Sequence, residues 1–334
     1  MYQLNKHKIT LPRHCSGFSM VELMIAMVIT LILLAGIGQI FLSSKKSFTI
    51  QDSLGRQQEN GRYVVNALAQ DLRRSGYLGG SLAITEIAGS LALSTGADTC
   101  TGANWALFMQ TPVVGLDGTA AGYDCIPNYL AGSGDIIAVR YGAPWGLGSV
   151  TTPNIVDTRI YLHSNPKEPK TARLYRGSNL PAKTPGDRQA ELIARAYFIA
   201  NSGQSTCAYQ GANLPIPSLY RVDLNDNSQP DAPGEIAAGI ERLQILYGID
   251  NVGADNSIDA YVKADAVADW DLVIAIRFWV LTRAECPETG YTNTTTYVMG
   301  SSDGSEDFTP PANDHYRRQL YQTTVQLRNR VGGI

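Results

Sequence analysis

Residues 17–44 read Gly17-Phe18-Ser19-Met20-Val21-Glu22 and then LMIAMVITLILLAGIGQIFLSS from Leu23 to Ser44. Those last 22 residues carry no charge. As a helix they span roughly 30 Å, about one hydrocarbon core. Upstream, residues 1–17 hold Lys6, Lys8, Arg13, His7 and His14 and no acid. A basic flank of this kind predicts a cytoplasmic N-terminus with the remainder exported. An ordinary secretory signal places its small-residue cleavage site after the apolar run. Here the run ends in Phe41-Leu42-Ser43-Ser44-Lys45-Lys46, without an A-x-A-like site, and the small residue, Gly17, comes before it. Cys15 also precedes the run, where a lipoprotein cysteine would follow one. A carboxylate at the edge of an apolar span is costly, so Glu22 marks a function.

The helical pattern does not stop at Lys45. Ile50, Leu54, Gly61, Val65, Leu68 and Leu72 recur at steps of three, four or seven and define one apolar face. Arg73 and Arg74 occupy the last turn and Gly76 the C-cap position. One helix is therefore expected from 18 to 75, apolar all round at first and amphipathic later. Gly36 and Gly38 weaken its apolar half by about 1 kcal/mol each, either for local unwinding in an assembly or for close helix packing.

The string Gly17-Phe18-Ser19-Met20-Val21-Glu22-Leu23-Met24 resembles the prepilin signal of type IV pilins and type II secretion pseudopilins. The resemblance implies cleavage between Gly17 and Phe18 by a membrane-embedded prepilin peptidase, N-methylation of Phe18, and a discarded leader that takes Cys15 with it. The retained helix would first anchor the subunit in the membrane and later pack in a filament core. There a lone Glu22 needs a counter-charge, and the new α-amine of a neighbour's Phe18 would supply it.

Beyond Gly80 the chain turns to short strand patterns and Gly/Pro/Asn-rich turns. Strands are expected at Asp135–Tyr141, Thr158–His163, Ala190–Ile199, Leu219–Leu224, Ile240–Ile249, Asp271–Thr282 and Arg318–Arg328. Asp271–Thr282 is apolar on both faces, as a central, doubly covered strand would be. A short helical turn is expected to open 234–244. The stretches 81–134 and 284–316 read as surface loops. The fold class is α+β: a long N-terminal helix packed on a mostly antiparallel β head.

Segments of that head, Ala194–Ala200, Leu219–Arg221, Ile245–Asp250 and Arg317–Asn329, resemble the PilW family of minor pilins. The resemblance divides the chain into a cleaved leader (1–17), an apolar membrane and filament-core helix (18–44), its amphipathic continuation (45–76) and a periplasmic β-rich head (77–334). It implies a minor pilin that primes assembly near the tip of a type IV pilus, a fimbrium that serves twitching motility. Other minor pilins, the major pilin, prepilin peptidase, the inner membrane as assembly intermediate and a tip adhesin would be its partners. Two readings stay open beside it: a type II secretion minor pseudopilin like the J component, and an adhesin or DNA-uptake tip subunit.

Composition agrees with a structural role. The net charge of −3 and a charged fraction of 17% do not suit a general nucleic-acid binder, so no nucleic-acid partner is expected. Four cysteines follow the leader: Cys100, Cys125, Cys207 and Cys286. An even count in an exported domain predicts disulfides. Three pairings are open; Cys100 and Cys125 bracket one loop-rich stretch, which favours Cys100–Cys125 with Cys207–Cys286. Zinc is not expected without a C-x₂-C spacing. The loops Asp250–Asp259 and Asp223–Asp231 are rich in oxygen ligands that would suit calcium. Val252 and Ala254 break the EF-hand spacing, and Asp and Asn dominate ordinary turns. The loops are thus read as turns, with no cofactor expected. Gly300-Ser301-Ser302-Asp303-Gly304 matches G-x-S-x-G, and His163 or His315 would have to supply a base. Its polar flanks and Pro310-Pro311 lack the strand and helix of a nucleophile elbow. No enzyme activity is expected. Asn293-Thr294-Thr295 fits a glycosylation sequon and is read as plain loop.

Overall fold

The computed structural model describes residues 17–80, 91–94, 98–144, 155–165, 167, 172–253, 255–300 and 304–329. Residues 1–16, with Cys15, and Ser301–Asp303 of the G-x-S-x-G match lie outside the described residues. The chain divides into two compact units, Met1–Asp52 and Ser53–Ile334.

A single helix, α1, runs Met20–Arg74. Within the first unit its side chains from Met20 to Thr49 are exposed, Phe41 and Phe48 among them. This helix is long and apolar enough to cross a membrane, with a window of mean hydropathy 2.6. Within the second unit α1 buries Gln57, Gly61, Val64, Leu68, Ala69, Asp71 and Leu72. The spacing of these residues is that of one helical stripe.

The helix stops where Gly76 takes φ +73°, a left-handed turn that glycine adopts without steric cost. Gly76 N donates to Arg140 O at 2.9 Å. A Cβ on Gly76 would lie 1.9 Å from the backbone oxygen of Asn329. At Gly61 a Cβ would lie 2.3 Å from the Tyr321 ring. Glycine there lets the strand beneath come up against the helix.

Eleven strands follow among the described residues: β1 Val113–Leu116, β2 Ile136–Gly142, β3 Ile160–Ser164, β4 Arg173–Arg176, β5 Arg188–Tyr209, β6 Ala212–Val222, β7 Gly234–Ala238, β8 Ile240–Ile249, β9 Ala260–Val262, β10 Val273–Arg283 and β11 Arg318–Gln326. One sheet has the order β1-β2-β5-β3-β4, with β6 on β5 and β7 on β6; the other has the order β11-β10-β8-β9. Every strand pair is antiparallel. The fold is α+β, with the amphipathic stripe of α1 laid on an antiparallel β head.

Strand periodicity sorts side chains into three cores. Ile137, Val139 and Tyr141 of β2, with Tyr197 and Ile199 of β5, meet Val64, Leu68 and Leu72 of α1 and Ile276, Phe278 and Val280 of β10. The alternate residues Ile136, Ala138, Leu192, Ala194, Ala196 and Phe198 face a second core. In the third, Trp279 and Leu281 of β10 pack with Leu246 and Met299. β10 is thus covered on both faces, as its sequence predicts.

Two expectations need correction. The stretches 81–134 and 284–316 are not merely surface loops: Trp105, Ala106, Leu107, Met109, Tyr123 and Met299 are buried and complete the second and third cores. Their apolar residues follow no strand or helix period because a 3₁₀ turn, Ala103–Leu107, and irregular backbone present them. The segment opening at 234 is a strand, β7, and not a helical turn. Gly239, at φ +75°, separates it from β8.

Candidate functional site

The prepilin-like motif sits at the start of α1. Ser19 precedes the helix and caps it: its Oγ accepts from Val21 N at 3.3 Å, and its carbonyl accepts from Leu23 N at 3.1 Å. Glu22 reaches back, its Oε2 accepting from Ser19 N at 3.1 Å. This is a variant of the capping box: Glu at N3 bonds back to the N-cap N–H, while the N-cap Ser Oγ takes the N2 amide instead of N3. It satisfies two amides that the first turn of any helix leaves unpaired. It also holds a carboxylate at the positive end of the helix. Gly17 and Phe18 precede the box as exposed, non-helical residues, with Phe18 87% exposed. The structure thus brings Gly17, Phe18 and Glu22 together at one accessible helix start.

A second cluster, missed in the sequence, lies near the other end of α1. Asp71 is 3% exposed and sits among apolar residues. Its Oδ1 accepts from Tyr141 Oη at 2.8 Å and its Oδ2 from Tyr197 Oη at 2.5 Å. Arg195 Nη1 reaches both oxygens at 3.0 Å. Arg195 Nε then bonds Asp223 Oδ1 at 2.8 Å, and Arg221 Nε bonds Asp223 Oδ2 at 2.6 Å. Burial, and then the charge of Asp71, pushes the Tyr141 and Tyr197 phenols well above their ordinary range, so both remain donors. A buried carboxylate with a cation and two phenols is fully paired, which is the condition for its tolerance in a core. The cluster ties α1 to β2, β5 and β6 and shows no reactive geometry. A sequence signal did exist: an acid at Asp71, three residues after Leu68 on the apolar face.

The cysteines pair as Cys100–Cys125 and Cys207–Cys286, with Cα separations of 5.5 and 5.4 Å. The first bond closes a loop beside a buried network. Arg140, at 0% exposure, pairs with Asp98 and donates from Nε to Trp105 O at 2.7 Å. Asp98 also accepts from Tyr123 Oη at 3.2 Å. The second bond joins β5 to the segment after β10, and so links the two sheets. On the chain-entropy model the two closures contribute about 3.5 and 4.5 kcal/mol.

The other candidate sites are built as turns. Asp259 Oδ2 accepts from Asn251 N and Val252 N, both at 2.8 Å, and Asp250 Oδ2 from Asn256 N at 2.9 Å. Asn225 Oδ1 accepts from Asn227 N at 2.9 Å and Gln229 N at 3.1 Å in the other loop. These carboxylates and amides close the backbone, as Asx-turn residues do. Among the described residues no three His, Cys, Asp or Glu side chains gather as a metal site. His163 is held by Gln189 at 3.1 Å, and His315 Nδ1 by Tyr291 O.

The family model described as Type IV Pilus-assembly protein W matches residues 196–329. The prokaryotic N-terminal methylation motif matches residues 12–38. No curated protein matches the chain. A solved structure, a type IV-like pilin from Thermus thermophilus, is similar at 11% identity over 84% of this chain and 98% of that one, with a TM-score of 0.37. The family and the α+β fold point to a structural pilin and not to an enzyme. The methylation motif around its helix start and the assembly-protein match from β5 through β11 support a type IV pilus minor pilin similar to the PilW family.

Proposed function

We propose that the chain is made as a prepilin, cut between Gly17 and Phe18 by prepilin peptidase, methylated on Phe18, and built into a type IV pilus as a minor subunit near the tip. In this reading 1–17 is the leader, 18–44 the membrane and filament-core helix, 45–76 its amphipathic continuation and 77–334 the periplasmic head. The inner membrane holds the subunit, N-terminus cytoplasmic, before assembly. Other minor pilins and the major pilin are its neighbours, it helps to prime assembly, and a tip adhesin is a further partner.

The observation that carries the reading is the pairing of an exposed, charge-free helix with an accessible Gly17-Phe18 bond on its basic side. Cleavage there leaves the whole apolar helix on the mature protein, so one element serves first in the bilayer and then in the filament core. Glu22 is the residue for docking. In a core of apolar helices its carboxylate is tolerated only against a cation, and the amine of a neighbouring Phe18 is the cation that processing creates. Nothing in this role requires a cofactor or nucleic acid.

Deletion of the gene, scored for surface pili, twitching and exoprotein secretion, tests the assignment. Loss of pili and twitching with normal secretion is expected. Loss of secretion with normal pili would assign the chain to a type II secretion pseudopilus.

A further inference from the structure

The loop at 180–187 leads into β5 and is tied to the seven-stranded sheet around one imidazole, His163 of β3. In the strand register His163 stands opposite Gln189 of β5 and Arg173 of β4. Gln189 is buried, and its Nε2 has two partners: Pro181 O at 2.7 Å and His163 Nδ1 at 3.1 Å. On the other side of the ring, His163 Nε2 lies 3.5 Å from Asp187 Oδ2. That oxygen also accepts from Thr184 N at 2.8 Å and Thr184 Oγ1 at 2.5 Å. The start of the loop is thus held through Gln189 and its end through Asp187.

These contacts decide where the ring carries its proton. Pro181 O can only accept, so Gln189 must turn its amide nitrogen toward it. The second hydrogen of that nitrogen then points at His163 Nδ1, which has to be a bare lone pair. The ring proton sits on Nε2, facing Asp187. A neutral imidazole satisfies every partner. A charged one carries a proton on Nδ1 as well, against the Gln189 N–H. Turning the Gln189 amide over would offer Oε1 to that proton and set the same oxygen against Pro181 O. Either way one of the two contacts is lost. His315 has no such conflict, because its Nδ1 faces the Tyr291 carbonyl and donates in both charge states.

The groups around the ring do not rescue the charged form. Arg173 faces it from β4, and Tyr175 packs edge-on at 6.1 Å. Glu191, two residues along β5 from Gln189, is paired with Arg159 at 2.8 Å, and Arg188 turns to Gly79 O at 3.4 Å. Asp187 is shared with both Thr184 donors and lies near Lys183. Burial lowers the His163 pKa below the ordinary imidazole value; Asp187 pulls it back in part, and Arg173 adds to the fall. A folded-state value below the unfolded one gives stability that is full above about pH 6.5 and is lost as pH falls through the folded value. The Thr184 hydrogen bonds hold the Asp187 carboxyl below its ordinary value, so it stays charged in that window.

We infer that His163 and Gln189 form an acid-released latch, which holds the 180–187 loop on the sheet in neutral medium and frees it when His163 takes up a proton. Residues Lys183 to Arg188 also wall a surface recess with Lys167, so the latch sets the shape of a basic patch on the head.

The test uses full-length protein in detergent micelles, titrated from pH 8.0 to pH 4.5. Mass spectrometry reads two signals from the same samples: amide exchange, corrected for the intrinsic effect of pH, and exchange of the imidazole C2 hydrogen, which gives the midpoint of each histidine. The expected result is a loss of protection over 180–187 of about tenfold, with the midpoint of His163, while peptides from β2 and β10 stay within about twofold. His163→Asn keeps an acceptor for Gln189 and does not titrate, so its loop should stay protected throughout. Gln189→Met removes the amide, so its loop should be unprotected at both ends of the titration. A His163 midpoint above about 6.5, or a ring that stays neutral down to pH 4.5, overturns the proposal. So does protonation of His163 without loss of protection at the loop, or the same loss in His163→Asn. Should His163→Asn not fold, the two wild-type midpoints decide alone: coincidence supports the latch and divergence overturns it.

Discussion

Glu22 carries two jobs that single substitutions can separate. In the isolated chain it closes a capping box on Ser19, and in the proposed filament its charge meets a neighbour's amine. Glu22→Gln keeps an oxygen for Ser19 N–H and loses the charge; Ser19→Ala weakens the cap by about 1 kcal/mol and keeps the charge. Glu22→Gln is expected to be cleaved normally yet to enter pili at least tenfold less well, while Ser19→Ala enters within about twofold. Equal behaviour of the two variants in a sheared-pilus immunoblot would make the cap, not the charge, the relevant property. Asp71 is a structural counterpart. Its removal leaves Arg195, Tyr141 and Tyr197 without their acceptor, so Asp71→Ala is expected to cost about 3–5 kcal/mol in detergent-solubilised protein followed by thermal melting. Asp135 gives a pH signature. Its carboxyl is 3% exposed and accepts from Ile245 N at 2.7 Å, Gln244 Nε2 at 2.9 Å and Gly118 N at 3.2 Å. Burial pushes its pKa well above the ordinary value, the Ile245 N–H pulls it back in part, and the charge of Asp117 adds to the rise. A folded-state pKa above the unfolded one gives stability that is full below about pH 4 and is lost as pH rises through the folded value. An amide at this position titrates nowhere and has only a constant cost against Gly118 N–H. The melting difference between Asp135→Asn and wild type should therefore move in the variant's favour from pH 4 to pH 8. A difference that stays flat would show that the carboxyl is not perturbed.

At the scale of elements, much was legible because the governing patterns are local. The uncharged run Leu23–Ser44, the stripe through Leu72 and the Arg73-Arg74-Gly76 terminus spell out α1 almost to the residue. Strands with clear alternation, such as β8, β10 and β11, were found where the sequence placed them. The elements that were not legible depend on contacts made elsewhere. β1, β4 and β9 are three or four residues long and exist because a longer neighbour pairs with them. Trp105 and Met109 lie in a stretch whose turn-rich composition reads as surface, and are buried only because β2 and β5 present a second apolar face. Gly76 combines the two kinds of information. Its role as a helix stop is local, but its need to be glycine is enforced by Asn329, more than 250 residues away. Gly76→Ala puts a Cβ both at positive φ and against that carbonyl. It should destabilise by more than about 1 kcal/mol and free the Asn329 end of the chain, visible as faster amide exchange from Leu327 to Asn329. Unchanged exchange would mean that this contact does not hold the tail.

For the whole molecule, averages concealed the organisation. Removal of residues 1–17 takes Lys6, Lys8 and Arg13 and no acid, which moves the net charge from −3 to −6 and the cysteine count from five to four. The low charged fraction comes partly from the uncharged run Leu23–Ser44 of one helix. The motif at the helix start was legible because, in the proposed processing, a peptidase reads it as sequence with no fold required. The Asp71–Arg195 cluster was not, because its members are 124 residues apart and only the packing of α1 on β2 and β5 joins them. The central claim is that this chain matures by losing its leader and keeping its helix. Intact-mass measurement and N-terminal sequencing of the protein from its own cells, with and without prepilin peptidase, test it most directly. The account predicts a chain that begins at N-methylated Phe18 when the peptidase is present and an unprocessed chain when it is absent. A mature chain that begins beyond Ser44, or a leader retained in the presence of the peptidase, would contradict it.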